Sequence, residues 1–346
     1  MTTADTSTRL DALRRWAAAR HRLSVAAVDL HLAAGDASFR RYFRLRLPDG
    51  GTRMLMDAPP AQEDSRPFVD IARRWQAGGL PVPALHAVDL EAGFLELDDL
   101  GDTPLQHRFA GSDAADTLAW HDRAIELIHA LQNRAGPDEL PTYDAALLGR
   151  ELDLFPEWCL ERWLGLPPPP GWTGLRQALI DSALAQPVVT VHRDFDAMNL
   201  MVLDERLYLI DFQDAVAGPI SYDLISLLRG RYCRFPAARV ANWIEAFRQQ
   251  AIADGRLSGA TTSEAFLQQA QAMAAQRALK VLGIFCRLTL RDARSGYLER
   301  LPHFLAHLEE SLMALPEHAA FNAWLADTFR PALERRLAGH ADSETT

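Results

Sequence analysis

Between residues 39 and 47 apolar and polar side chains alternate with a period of two: Phe43, Leu45 and Leu47 fall on one face, Tyr42, Arg44 and Arg46 on the other. That period marks a strand with one buried face. Asp49-Gly50-Gly51 follows as a hairpin turn, and residues 52–57 form the returning strand, closed by Pro59-Pro60. Upstream, Leu10, Leu13, Trp16 and Ala17 recur at helical spacing over residues 10–22, and residues 27–33 are strand-like. Residues 65–77 read as a helix stopped by Gly78-Gly79, and residues 84–89 and 94–97 as two short strands around Glu91-Ala92-Gly93. Residues 1–100 are therefore expected to form a mostly antiparallel sheet of five strands, with a helix inserted after the third.

After Leu100-Gly101 the period lengthens. Residues 117–133, 145–163, 175–185, 221–229, 237–254, 262–290 and 302–313 all repeat at helical spacing. Strand-like pieces remain only at 188–191 and 207–210. The proline run 167–170 reads as a surface loop, and the polar tail after Leu337 as frayed. The expectation is an α+β chain of two lobes with a cleft between them: a small β-rich lobe over residues 1–100 and a larger helical lobe over 101–346.

Composition narrows the functional classes. The 346 residues carry a formal net charge of −10, with no basic run longer than a pair such as Arg40-Arg41, so nucleic acid is not expected as a partner. No apolar run approaches the roughly 18 residues of a membrane span, and the polar start has no secretory pattern; a cytoplasmic, monomeric protein with no membrane partner is expected. Cys159, Cys233 and Cys286 share no metal-ligand spacing and read as reduced, buried thiols. Lysine occurs once, at Lys280, so every other permanently charged basic side chain is an arginine.

The chemistry concentrates in Val188-Val189-Thr190-Val191-His192-Arg193-Asp194. Here an apolar strand delivers a carboxylate at its end. Asn199 follows five residues after Asp194, and a second apolar strand ends in Asp211-Phe212. Phosphoryl transfer needs an oriented acceptor hydroxyl and Mg²⁺ held against the phosphates. One carboxylate, Asp194, can accept the hydroxyl proton; a carboxylate and an amide oxygen, Asp211 and Asn199, are hard ligands for magnesium. Asp223 can brace the turn by accepting hydrogen bonds, or serve as a carboxylate at a helix start. Gly35-Asp36-Ala37-Ser38 is either a plain turn or a loop whose small residues let backbone amides approach phosphate.

His192-Arg193-Asp194, Asn199 and Ile210-Asp211-Phe212 together resemble the catalytic and metal-binding loops of the protein-kinase-like fold. Gln213, where protein kinases have glycine, and the run Asp214-Ala215-Val216-Ala217-Gly218-Pro219-Ile220-Ser221-Tyr222-Asp223-Leu224 resemble its aminoglycoside phosphotransferase and choline kinase branch. Met56-Asp57-Ala58-Pro59-Pro60 and Leu152-Asp153-Leu154-Phe155-Pro156-Glu157-Trp158 look like the bacterial anomeric amino-sugar kinases of that branch. The resemblance covers about residues 30–310.

That resemblance implies ATP and Mg²⁺ as cofactors and an amino sugar as substrate. N-acetylmuramate or N-acetylglucosamine would be phosphorylated at its C1 hydroxyl during cell-wall recycling. It places Gly35, Asp36 and Ser38 at the phosphates and Glu96 and Asp98 at the adenine. The lysine that most of the branch carries on the third strand is missing, and Arg41, Arg44 or Arg53 can supply its charge; Lys280 lies too far along the chain to be an obvious substitute. For the sugar it points to Asp196, Glu151, Trp158, Arg229 and Tyr232, with Arg229 competing against Arg150 and Arg287 for a substrate carboxylate. The alternatives are a kinase of an amino alcohol or aminoglycoside, and a non-catalytic nucleotide-binding regulator.

Overall fold

The computed structural model of the chain describes residues 3–35 and 40–344. It divides into two compact units: Met1–Leu105 with Asn199–Asp214, and Gln106–Met198 with Ala215–Thr346. A short excursion of the chain, Asn199–Asp214, thus packs with the first unit although the residues on either side of it belong to the second.

In the first unit, helix α1 (Thr3–His21) precedes strands β1 (Asp29–Gly35), β2 (Arg41–Arg46) and β3 (Thr52–Asp57), then helix α2 (Arg66–Ala77) and strands β4 (Leu85–Asp89) and β5 (Phe94–Asp98). The strands form one antiparallel sheet in the order β1-β2-β3-β5-β4. The period-two pattern of β2 does what it predicts: Phe43 and Leu45 are 6% and 0% exposed, packed with Leu13 and Ala17 of α1, while Arg44 and Arg46 face away. At the hairpin, Leu47 N–H donates to the Gly51 carbonyl at 2.8 Å and Gly50 takes φ +87°, a conformation that a Cβ disfavours.

Further along the chain come α3 (Ala115–Arg134), α4 (Ala145–Leu152), a π-helical run (Phe155–Leu164), α5 (Trp172–Leu184), strands β6 (Val188–Val191), β7 (Leu200–Leu203), β8 (Arg206–Leu209) and β9 (Val216–Pro219), then α6 (Tyr222–Leu228), α7 (Ala237–Ala253), α8 (Ser263–Leu290), α9 (Leu301–Met313), α10 (Ala319–Trp324) and α11 (Arg330–Glu344). Strands β6 and β9 pair antiparallel in the second unit; β7 and β8 pair antiparallel in the first. Helix α8 is the axis of the second unit, and its buried residues run from Phe266 to Cys286. Thr262 caps it by accepting from Ala265 N–H at 3.1 Å.

The structure departs from the sequence expectation in five places. Strands β7 and β9 were not expected; β9 reads Val-Ala-Gly-Pro, a composition depleted in strands, and its four residues are buried beside β6. The expected single helix over 145–163 is α4 followed by π-helical turns containing Pro156, which end at Gly165 in the left-handed conformation, φ +68°. The tail expected to fray is helical through Glu344. The first helix starts at Thr3, earlier than expected. All three cysteines are buried and free, as expected, and among the described residues no helix is long and apolar enough to cross a membrane.

Gly283, in mid-α8, lies against the backbone of Leu154, so a Cβ there would collide with the Leu154 carbonyl. Gly283→Ala is expected to destabilise the protein by about 1–3 kcal/mol through overpacking. Gly174→Ala in α5, where nothing lies within 4 Å of the added methyl, should be neutral or stabilising by up to about 1 kcal/mol. Urea unfolding of both variants checks the contrast.

Candidate active site

In the second unit, β6 delivers His192-Arg193-Asp194 into a tight turn. Asp223, at the start of α6 and fully buried, accepts the backbone N–H of His192 at 2.7 Å and of Arg193 at 3.1 Å. It is thus the brace that its position in the sequence allowed. Burial pushes its carboxyl up to about 7, against the two amides and Arg277, which favour the charged form. Arg193 is held at φ +75°, an unusual conformation for a residue with a Cβ. The turn closes with Asp196 N–H donating to the Asp194 carbonyl at 2.8 Å. Phe195 and Asp196 are buried while Asp194 is exposed, so the turn hides its neighbours and presents that one carboxylate.

Beneath the turn lies a buried ionic network. Glu151 Oε1 accepts Arg193 Nη2 at 2.7 Å and Lys280 Nζ at 2.9 Å. Tyr143 Oη–H donates to Glu151, Gln276 Nε2 reaches the same carboxylate at 3.4 Å, and Lys280 Nζ donates to Tyr222 Oη at 2.9 Å. Burial alone would favour a neutral Glu151, but Lys280, Arg193 and the Tyr143 hydroxyl hold its pKa down to about 2. Burial likewise opposes the Lys280 charge, yet Tyr222, Glu151 and Asp194 keep its pKa above the ordinary lysine value.

In the first unit, β8 delivers Asp211. Ile210 N–H donates to the Asn199 carbonyl at 3.1 Å, which sets Asn199 beside the strand end. Asp211 takes φ +62° and accepts Gln213 Nε2 at 2.9 Å. Phe212, fully buried, stacks on Phe68 with centroids 4.8 Å apart and meets Trp75 at 5.3 Å. An aromatic plug therefore fixes the residue that follows Asp211. Asn199, Ile210 and Asp211 line one cavity of about 410 Å³ together with Asp98, Met54 and Leu97. Its lining is mainly apolar with a few converging oxygens, the usual make-up of a small-molecule site. The oxygen donors of Asn199 and Asp211 suit magnesium, which takes few protein ligands and fills its shell from phosphate and water.

The other expected site residues separate into groups. Gly35 ends β1 opposite Arg41, while Asp36 and Ser38 lie outside the described residues. Arg41 is paired with Asp57, which Arg9 also grips. Arg44 is clamped to Asp99 at 2.6 Å and Asp102 at 2.8 Å, hydrogen bonds that raise its pKa further. Both arginines are thus paired with carboxylates. Glu96 is 2% exposed and bound by Arg20 at 2.9 Å, so only its backbone is available to a ligand. Asp98 accepts Ala84 N–H at 3.0 Å and lines the cavity. Asp196 pairs with Arg231 at 3.2 Å, and that guanidinium lies 5.9 Å from the ring of half-buried Tyr232. Arg229, expected to meet a substrate carboxylate, is 4% exposed and bonded to Glu310 at 2.6 Å. Trp158 is half-buried under Arg162, 4.4 Å from its ring.

The sequence profile of the phosphotransferase enzyme family matches residues 29–260, a span that includes the Asp194 turn, Asn199 and Asp211. The chain belongs to that family. This phosphotransferase is 43% identical to the N-acetylmuramate/N-acetylglucosamine kinase of Pseudomonas putida KT2440, over 88% of its own length and 89% of the relative's. It is 41% identical to the enzyme of the same name from Pseudomonas aeruginosa PAO1, over 85% and 87% of the two chains. Among solved structures, a choline/ethanolamine kinase family protein from Mesorhizobium loti matches with a TM-score of 0.59 at 17% identity, covering 88% of this chain and 95% of that one. That likeness bears on the fold alone, and it agrees with the α+β, protein-kinase-like architecture expected from the sequence.

Sequence reasoning noted Lys280 without assigning it a partner and gave no role to Tyr143, Tyr222 or Gln276. The available signal was a single lysine inside an otherwise buried helical stretch, where a charge needs a partner. Lys280→Met should destabilise this phosphotransferase by about 3–5 kcal/mol, because the Glu151 charge stays buried with one cation fewer. Adding Glu151→Gln should recover part of that loss. The stability carried by Glu151 is full above its ordinary value of 4.5 and fades as pH falls toward about 2. Urea titrations across that window should slope in the wild type and flatten in the double variant.

Proposed function

We propose that this phosphotransferase moves the γ-phosphoryl group of ATP onto the C1 hydroxyl of N-acetylmuramate or N-acetylglucosamine, with Mg²⁺. The identity of 43% across most of both chains to an enzyme of that name carries the substrate assignment. The exposed Asp194 on its braced turn, and the shared cavity of Asn199 and Asp211, support the chemistry.

Asp194 would orient the anomeric hydroxyl and take its proton. As the O–H bond breaks, the sugar oxygen bonds to the γ-phosphorus, the bond from that phosphorus to the β,γ-bridging oxygen breaks, and ADP leaves with that oxygen. Asn199 and Asp211 would hold magnesium, which neutralises charge on the phosphates. Met54, Leu97 and Leu100 give the cavity flat apolar walls for the adenine, and the backbone from Asp98 to Gly101 offers its polar edge. Asp196 and Tyr232 would meet the sugar, with Arg231 between them available to a substrate carboxylate. Glu151 and Arg229, engaged in buried ion pairs, support the site from behind.

Phosphorus NMR of reactions with each sugar and ATP-Mg²⁺ should show a sugar 1-phosphate. A 6-phosphate, or ADP release independent of sugar, would overturn the assignment; turnover of kanamycin or choline above that of the sugars would replace the substrate class. Asp194→Asn should lower kcat by about 10²- to 10⁴-fold, with sugar KM little changed.

A further inference from the structure

The missing third-strand lysine leaves the phosphates of the nucleotide without an evident cation. In most kinases that charge comes from a lysine steadied by a glutamate. Each arginine of the sheet faces a carboxylate of the sheet itself or of the segment that follows it, unlike a strand cation paired with a glutamate near the helix. Arg9 and Arg41 share Asp57, which is 0% exposed. Arg44 is held between Asp99 and Asp102. Arg53 lies 3.8 Å from the buried Glu96 and donates to the Thr52 carbonyl at 2.8 Å.

Arg40 differs in its surroundings. It precedes β2, is 5% exposed, and its Nη2 donates to Glu63 Oε1 at 2.6 Å. Glu63 is fixed by a turn ahead of α2, in which its N–H and that of Gln62 both donate to the Pro59 carbonyl, at 3.0 Å and 2.9 Å. The Arg40 guanidinium carbon lies 5.9 Å from the centroid of Phe68. Phe68 lines the cavity together with Asp211 and stacks on Phe212, the residue after Asp211. A buried cation steadied by a glutamate thus stands against an aromatic ring that lines the same cavity as the carboxylate proposed to hold the metal. A guanidinium has five N–H donors in a planar fork, so it can serve a carboxylate and a phosphate together.

We infer that Arg40, steadied by Glu63, grips the phosphates of the bound nucleotide in place of the third-strand lysine. The assignment rests on the nucleotide-binding role proposed above. It makes the Arg40–Glu63 pair the counterpart of the lysine–glutamate pair of other kinases, with the cation contributed from the start of the second strand.

Calorimetric titration with ADP-Mg²⁺ and with adenosine separates phosphate recognition from adenine recognition without any turnover. Arg40→Ala should weaken ADP binding by about 10- to 100-fold, the loss of a charged hydrogen bond, and leave adenosine binding unchanged. Arg41→Ala and Arg44→Ala should keep the wild-type ratio of ADP to adenosine affinity. An unchanged ratio in Arg40→Ala, or a collapse of the ratio in Arg41→Ala or Arg44→Ala instead, overturns the assignment while the kinase reading stands. Wild-type protein that binds neither compound overturns both. If Arg40→Ala does not fold, Arg40→Lys and Arg40→Gln decide: lysine should retain the preference for ADP and glutamine lose it, and equal preference in the two sinks the proposal.

Discussion

A carboxylate cut off from water must be given cations and donors or it will not stay charged. Glu151 is the clearest case in this chain, and much of the second unit is arranged to satisfy it. Its partners come from the turn after β6 (Arg193), from mid-α8 (Lys280, Gln276) and from the segment before α4 (Tyr143). None of these can shift without leaving a buried charge exposed to its own desolvation cost. Arg193 is the neighbour of Asp194, so the demands of Glu151 pass directly to the turn that presents Asp194. The left-handed backbone at Arg193 is a strain of order 1–3 kcal/mol. It persists because the side chain is anchored from one direction by Glu151 and the backbone from another by Asp223.

Opposite charges meet around the turn. Glu151 is held by Arg193 and Lys280, Asp194 acts on Lys280, and Arg277 favours the charged form of Asp223 against its burial. A paired cluster tolerates burial far better than a lone ion. The first unit reaches the same end by different means. There Phe212, the residue after Asp211, is sealed by Phe68 and Trp75, and Gln213 donates to the Asp211 carboxylate. The proposed base thus sits on a turn held largely by charged contacts, and the proposed metal carboxylate is followed by an apolar plug, so the two should respond differently to salt and to core substitutions.

The elements that carry chemistry were legible in the sequence because their signals are local. The alternation of β2 predicted which side chains the sheet buries, and the strand before His192 and the Asp-to-Asn spacing are contained within twelve residues. What was illegible is long-range. Nothing near Arg229 indicates that Glu310, 81 positions away, will bury it, so an arginine expected to meet a ligand turned out to be committed. The pairing of Arg41 with Asp57 and of Arg44 with Asp99 was illegible for the same reason, since these carboxylates become their neighbours only once the sheet forms. Strand β9 escaped notice because its register with β6, and not its Val-Ala-Gly-Pro composition, makes it a strand.

The single lysine sharpens this contrast between local and long-range signals. A chain that uses arginine for every other permanent positive charge shows no general preference for ammonium groups, so position 280 calls for a specific physical reason. The space there lies between the Glu151 carboxylate and the Tyr222 hydroxyl, with Tyr222 also presenting its ring 5.6 Å from the ammonium. A guanidinium is planar and directs five donors outward; buried here, it would leave several of them without acceptors. An ammonium is compact, has three donors and can rotate them, and it finds at least two oxygens within 2.9 Å. Arg193, which enters the same network from the half-buried turn, has room for the larger fork. The choice between the two cations therefore follows the number of donors each environment can satisfy, and Lys280→Arg, which conserves charge, should be less tolerated than its chemistry suggests.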